Sequence, residues 1–264
     1  DFPLGTDTTD SQVAEGAGTF NLATNEVVYA KNIYERLYPA STTKILTAYI
    51  ALKYCTDLSQ TVTISENAAN QASDSSVCGL HAGDVIRMDD LLYGMMLRSG
   101  NDAAIAIAES ISGSVEEFAT LMNQEAAALG ATQSHFVNPN GLPDENHYTS
   151  VYDLYLIFNE ALKQPEFRKV TGTTSYTADY TDGSGNPVST TWEGGNWYMV
   201  GQRQTPDGLT VFSGKTGTTS AAGFCLIMAS RDQKEKEYIS VVLKAPSRPG
   251  LYDNMTNIIS KIVK

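Results

Sequence analysis

The sequence predicts an α+β fold, an antiparallel sheet flanked by helices with a helical insertion. Three observations lead there. Strand-like segments lie near both ends of the chain and helical patterns fill the middle. One early helix is apolar on every side, so it has to be buried. The last hundred residues become rich in Thr and Tyr and turn to strand patterns.

Residues 17–31, GTFNLATNEVVYAKN, read as two short strands around a turn at Thr24–Asn25–Glu26. YPASTTKILTAYIALKYC follows, with Ile45, Leu46, Ala48, Tyr49, Ile50, Ala51 and Leu52 distributed around the whole helix. Pro39 prevents an earlier start, so this helix begins close to Ser41. From about 56 to 150 the chain is mainly helical. Asp89–Leu97 and Asp102–Ile111 flank Ser99–Gly100, and Ser114 with Glu117 forms a capping box for a helix that Gly130 closes. NPNGLPDEN, residues 138–146, is a loop, and Ser150 caps a helix over Val151–Leu162. Leu209–Phe212, Gly223–Ser230 and Tyr238–Ala245 are strands, with the charged RDQKEKE joining the last two. A helix over Leu251–Val263 ends the chain. The simplest arrangement is one sheet built from both ends. There is no internal repeat, and by length alone one or two domains are equally admissible. The α/β part covers about 1–45 and 150–264, and the helical part about 46–149.

With 264 residues, 42% of them hydrophobic, the chain can bury a substantial core. Its 18 basic and 30 acidic side chains give a net charge of −12, which argues against a nucleic-acid partner. No apolar run approaches the ~18 residues of a membrane-spanning helix. The start at Asp1 reads as a trimmed mature form. Among three cysteines there is no CxxC pair, so no zinc site is expected. Cys225, in GFCLIMAS, is a small buried hydrophobe. Cys55 and Cys78 flank a short excursion, and whether they bridge depends on the redox compartment.

Three short motifs carry the chemistry: Ser41-Thr42-Thr43-Lys44, Ser99-Gly100-Asn101 and Lys215-Thr216-Gly217. Singly each is common, and Ser41 alone would be an ordinary cap and Lys44 an ordinary surface lysine. Their joint occurrence at a helix start, a loop of the helical part and a strand is the signal. Positions i and i+3 share a helix face, so Ser41 and Lys44 can meet. A serine hydroxyl needs a base, and His81, His135 and His147 show no pairing pattern that would supply one. A lysine can serve when it is neutral, which burial and a second cation promote. The apolar helix gives Lys44 that burial and Lys215 is the candidate cation. The helix N-terminus at Ser41 favours developing negative charge.

At these residues the sequence resembles the low-molecular-weight penicillin-binding proteins, the serine D-alanyl-D-alanine carboxypeptidases (peptidase S11-like), whose relatives include the class A β-lactamases. YPASTTKILTAYIAL, MMLRSGNDAAIAIAE, FVNPNGLPDENHYTSVYDLYLI and FSGKTGTTSAAGFCLIMAS all look like family segments, and they span most of the chain. The resemblance implies a single catalytic domain over residues 1–264 with the β-lactamase/penicillin-binding-protein-like transpeptidase fold, and a reaction without metal or organic cofactor. It implies that Ser41 is acylated by peptidoglycan stem peptides ending in D-Ala-D-Ala and by β-lactam antibiotics. Lys44 accepts the serine proton, Ser99 passes a proton to the leaving D-alanine, and Asn101 holds Lys44 and the substrate amide. Lys215 supplies positive potential. Thr216, Gly217 and Thr218 form the substrate-binding strand, with Thr216 on the terminal carboxylate and the N–H groups of Ser41 and Thr218 as oxyanion hole. It further implies an extracytoplasmic location, secreted or on the outer face of the membrane, and a part in cell-wall shape. Longer members carry a C-terminal β-domain and a membrane anchor, which residues 1–264 do not include.

The sequence departs from the family in two places. Thr218 follows K-T-G where many relatives have histidine, and only Arg248 offers itself, by region, for the carboxylate-binding arginine of some relatives. The nearest rival is a class A β-lactamase, but Gly100 replaces the Asp of S-D-N, and Glu166 in QPEFRKV lacks the Leu-Asn expected after it. A serine esterase on the same fold is a more distant rival. A non-catalytic β-lactam or peptidoglycan sensor would also keep the serine and the lysine.

Overall fold

The structure, a computed structural model, describes residues 13–263. Two antiparallel sheets and eight α-helices make up these residues. β1 (Gly16–Asn21) and β2 (Glu26–Lys31) form the expected hairpin. A 3-10 turn, Ala40–Thr43, then leads into α1 (Lys44–Tyr54). β3 (Thr61–Thr63), the single-turn α2 (Glu66–Ala69) and β4 (Val85–Arg87) precede α3 (Met88–Leu97), α4 (Asn101–Ser112) and α5 (Val115–Ala128). After the 138–146 loop come α6 (Val151–Ala161) and α7 (Pro165–Thr171). β5 (Ser175–Thr181) and β6 (Pro187–Glu193) form a second hairpin. β7 (Leu209–Thr219), β8 (Gly223–Asp232), β9 (Glu237–Ala245) and α8 (Arg248–Ile259) follow.

The larger sheet has the order β2-β1-β9-β8-β7, so the two ends of the chain do build one sheet. β8 and β9 are central and buried on both faces. Along β8, Cys225, Ile227 and Ala229 face the helical body, while Leu226 and Met228 face α8. That is the period-2 alternation of a strand covered on both sides. α8 seals the outer face with Leu251, Tyr252, Met255, Ile258 and Ile259.

A second sheet, β3-β4-β5-β6, corrects the single-sheet expectation. Its hairpin β5–β6 comes from the late part of the chain, yet it pairs with β4 inside the helical part. β3 and β4 are three residues each, too short to show a period. β5 and β6 do alternate, with Tyr176, Ala178 and Tyr180 on one and Val188, Thr190 and Trp192 on the other turned inward between exposed residues, but that alternation does not name β4 as their neighbour.

α1 runs through the middle, with Lys44 to Ala51 all buried. It has no side-chain N-cap bond. A cap contributes only ~1 kcal/mol. Burying Ile45, Leu46, Tyr49 and Ile50 contributes roughly 1.5–3 kcal/mol each, so packing decides where this helix forms. By contrast α5 and α6 begin at Ser114 and Ser150, whose hydroxyls accept from the N–H of Glu117 and Asp153. Among the described residues no helix is long and apolar enough to cross a membrane. The three cysteines are free thiols, so Cys55 and Cys78 do not bridge.

Candidate active site

Ser41 sits within the 3-10 turn that precedes α1, and the N-cap position of α1 falls to Thr43. Three contacts fix the turn. Thr42 Oγ1 donates to Pro39 O at 2.6 Å. Thr43 Oγ1 meets His147 Nε2 at 2.8 Å. Val137 N–H donates to His147 Nδ1 at 3.1 Å, which leaves Nε2 as the protonated nitrogen and donor to Thr43. Burial pushes the His147 pKa down to about 4, so this brace stays neutral.

Two glycines let the backbone close around the turn. A Cβ on Gly217 would lie 2.8 Å from Ser41 N, so β7 passes against the nucleophile's backbone only as glycine. Gly141 has φ +90°, and a Cβ there would fall 1.8 Å from Ala40 O. The 138–146 loop therefore packs directly on the turn. Ala40 (φ +48°) and Ser99 (φ +59°) hold left-handed backbone without being glycine. Such residues cost on the order of 1–3 kcal/mol and cluster at functional sites.

Lys44 is fully buried. Its Nζ lies 2.7 Å from Asn101 Oδ1, 2.9 Å from Asn140 O, 3.0 Å from Ser41 Oγ and 3.4 Å from Ser99 Oγ. Burial first, and the charge of Lys215 second, pull its pKa well below the ordinary lysine value. A neutral amine has two N–H bonds and one lone pair. Asn101 Oδ1 and Asn140 O are pure acceptors and take the two N–H bonds. The lone pair is left to face the serine hydroxyls.

Ser99 links the two lysines: Lys215 Nζ donates to its Oγ at 3.1 Å and to Thr216 O at 2.7 Å. Burial lowers the Lys215 pKa to about 7. Asn101 is held by its N–H to Ser76 O at 2.8 Å. The next residue, Asp102, is buried and accepts from the backbone N–H groups of Cys78, Gly79 and Leu80. That clamps the 75–80 segment onto α4. Gly100 owes its identity to this clamp, since a Cβ there would lie 2.2 Å from Cys78 Sγ. The S-G-N form of the second motif is thus matched to Cys78.

β7 is the edge of the large sheet, with Lys215 opposite Ile227, Gly217 opposite Cys225 and Thr218 opposite Phe224 on its paired side. Its other edge borders a cleft of about 230 Å³ that Ser41, Ser99, Thr216, Gly217 and Thr218 all line. Arg98, Glu193 and Arg248 line it too. Glu166 does not: it sits exposed in the first turn of α7, 3.5 Å from Lys169.

The structure thus brings together all eight residues singled out from the sequence: Ser41, Lys44, Ser99, Asn101, Lys215, Thr216, Gly217 and Thr218. Sequence reasoning missed the carbonyl of Asn140, the brace at His147, and the Asp102–Cys78 clamp. A carbonyl carries no side-chain signature, so the turn-rich NPNG segment showed only a loop. His147 and Asp102 left no pattern beyond their type. Among the described residues no group of His, Cys, Asp or Glu is placed to hold a metal ion.

Known proteins resemble this chain in family pattern, in sequence and in fold. Residues 6–247 match the family model for peptidase S11, D-alanyl-D-alanine carboxypeptidase. The chain is 37% identical over 237 residues to the D-alanyl-D-alanine carboxypeptidase DacF of Bacillus subtilis, covering 88% of this chain and 57% of that one. It is 32% identical over 261 residues to the D-alanyl-D-alanine carboxypeptidase of a Streptomyces species, strain K15, covering 94% and 86%. The chain spans little more than half the length of the Bacillus subtilis and Haemophilus influenzae relatives. The crystal structure of the Streptomyces K15 DD-transpeptidase is similar with a TM-score of 0.88 at 31% identity, over 97% of this chain and 98% of that one. A carboxypeptidase DacD from Francisella tularensis has a TM-score of 0.85 at 27% identity, over 100% and 72%.

Proposed function

The chain belongs to the peptidase S11 family of D-alanyl-D-alanine carboxypeptidases, and from that premise we propose that it is a serine D,D-carboxypeptidase. It removes the terminal D-alanine from peptidoglycan stem peptides through an acyl-enzyme on Ser41. The observation that carries the proposal is the environment of Lys44 Nζ: two pure acceptors, Asn101 Oδ1 at 2.7 Å and Asn140 O at 2.9 Å, with Ser41 Oγ at 3.0 Å.

The chemistry follows from this arrangement. Ser41 passes its hydroxyl proton to the Lys44 lone pair while Oγ bonds to the carbonyl carbon of the D-Ala–D-Ala peptide. The carbonyl oxygen becomes an oxyanion, stabilised by the N–H groups of Ser41 and Thr218. Collapse breaks the C–N bond, and the leaving amine takes a proton through Ser99, which touches both lysines. Asn101 steadies Lys44 and receives the substrate amide. Thr216 and Arg248 hold the terminal carboxylate, whose negative charge draws a proton onto the neighbouring Lys215 and restores the pKa that burial had lowered. The free edge of β7 pairs with the substrate backbone as an added strand, where Gly217 permits the approach. Water then adds to the ester carbonyl, giving its proton to Lys44, and the shortened peptide leaves with Ser41 restored. The residues present call for no cofactor.

β-Lactams present a carbonyl and a carboxylate to the same groups, so they acylate Ser41 as well. The substrate lies outside the cytoplasm, so the enzyme works there, secreted or at the outer membrane face, where trimming of stem peptides shapes the wall. A β-lactamase would need a carboxylate poised to activate water; Glu166 lies off the cleft, and Glu193 on its rim is engaged by the Ser175 hydroxyl. Release of D-alanine from an acylated peptide ending in D-Ala-D-Ala tests the reading. Release that disappears in Ser41→Ala supports it. Covalent penicillin binding without any release points to a sensor and overturns the peptidase.

A further inference from the structure

A smaller cavity, of about 30 Å³, lies beyond the cleft along the edge of β7. The ends of α3 and α7, the 194–200 segment and Gly214–Thr216 of β7 enclose it. Leu97, Gly195 and Thr216 line both spaces, so a small solute can pass from one to the other. Ser41 and Ser99 line the cleft but not the cavity, and Lys215 lines the cavity but not the cleft. At this size the cavity takes one small ion or a water or two, and is too small for an amino acid.

Asn196, which lines the cavity, is only 7% exposed. Its Oδ1 accepts from Tyr198 N–H at 3.1 Å, which fixes the orientation of the amide. Its Nδ2 has no hydrogen-bond partner among the described residues. That nitrogen stands 2.9 Å from where a Cβ on Gly214 would lie, so it is pressed against β7 at the residue before Lys215. A buried N–H without an acceptor is costly, and it marks a place for a water or an ion. Lys215 adds a second donor. A protonated lysine has three N–H bonds, and Ser99 Oγ and Thr216 O take two of them. Its charge also lacks a counter-ion: no Asp or Glu lines the cavity, and burial is the one cause that lowers its pKa. Among the groups around it, Lys44 reaches Ser99 Oγ from the other side, and Arg98, Glu193 and Arg248 line the cleft instead. Arg168 and Lys169 of α7 are paired with Glu237 and Glu166, and burial pushes the Tyr93 phenol of α3 up, so it stays neutral.

We propose that this cavity is a site for one monatomic anion of the chloride class, held between Asn196 Nδ2 and Lys215. Such an anion accepts from both donors and gives the lysine its counter-charge. A water would accept from both but leave the charge unbalanced. The proposal stands on the cavity and its donors and is independent of the peptidase reading. The anion binds the protonated lysine, so its affinity is full below pH 7 and falls as pH rises above it.

Thermal unfolding tests it, with chloride replacing gluconate, which is too large for the cavity, at constant ionic strength. At pH 6.5 the wild-type Tm should rise along a saturating curve, by roughly 3–5 °C once about nine-tenths of the sites are filled. At pH 9 it should hardly move. In Asn196→Asp the carboxylate keeps the bond from Tyr198 N–H and becomes the counter-ion of Lys215 itself, so the chloride response should vanish. Bromide diffused into wild-type crystals at pH 6.5 should give an anomalous-scattering peak between Asn196 and Lys215, whether or not the variant folds. An equal chloride response in the two proteins, or no bromide at that position, means that the cavity takes water alone and overturns the proposal. Acylation of Ser41 by penicillin is measured separately, so neither result bears on the peptidase reading.

Discussion

Lys215→Met should destroy acylation and at the same time stabilise the protein. Lys215 is buried, and its pKa falls from 10.5 to about 7 because burial penalises the ammonium. At about 1.4 kcal/mol per pH unit that fall corresponds to roughly 5 kcal/mol of destabilisation near neutral pH. Methionine fills similar volume without charge. It also removes the donor to Thr216 O, at ~1–3 kcal/mol for a carbonyl left unpaired. The other bond lost, to Ser99 Oγ, leaves that hydroxyl still within reach of Lys44. The net expectation is a gain of about 3 kcal/mol, or roughly 5–10 °C in Tm for a chain of this size. The pH dependence identifies the cause. Between pH 7 and 10.5 the unfolded chain holds a proton on this lysine that the folded chain has released. Wild-type stability therefore rises with pH across that window, and falls as pH drops toward 7. The variant should lose about 1.4 kcal/mol per pH unit of that slope. Urea unfolding of both proteins at pH 7.5, 8.0 and 8.5 measures it, since the remaining groups titrate alike in the two. A variant less stable than wild type, or one with an unchanged slope, refutes the reasoning.

Further outcomes follow from the same geometry. Lys44→Ala should lower the penicillin acylation rate by at least ~10²–10⁴-fold while far-ultraviolet circular dichroism stays native; near-normal acylation would remove Lys44 as the base. Gly100→Ala should cost roughly 1–3 kcal/mol through the collision with Cys78 Sγ, and in urea unfolding much of that loss should return in the Gly100→Ala/Cys78→Ala double variant. Equal losses in single and double variants would mean that Cys78 is not the obstacle. His147, with a folded pKa of about 4 against an ordinary 6.5, makes stability fall as pH drops from 6.5 to 4. Its imidazole proton resonances should show no titration at pH 5.5, and a midpoint near 6.5 would break the neutral brace to Thr43.

What the sequence showed and what it hid divide along physical lines. The hairpin β1–β2, the all-round apolar α1, the Ser114 and Ser150 caps and the strands of the large sheet all left periodic or capping signals. β7 was legible only to Phe212, because its remainder, SGKTGTT, has no apolar alternation; it is a strand by pairing with β8. The second sheet stayed hidden because β3 and β4 are only three residues each, and the alternation of β5 and β6 does not say that they pair with β4. At the site, the three motifs named their own side chains, and spacing alone put Ser41 beside Lys44. The groups that complete the base are different in kind. Asn140 acts through its backbone carbonyl, and Gly141 and Gly217 act by lacking a Cβ.

Every step proposed for the cleft depends on Ser41 being a nucleophile activated by its lysine neighbour. Intact-mass measurement over time after mixing with a penicillin, followed by peptide mapping, tests it most directly. One stoichiometric, persistent adduct, located on Ser41 and absent in Ser41→Ala, is expected. An adduct on another residue, or one that survives in Ser41→Ala, would contradict it.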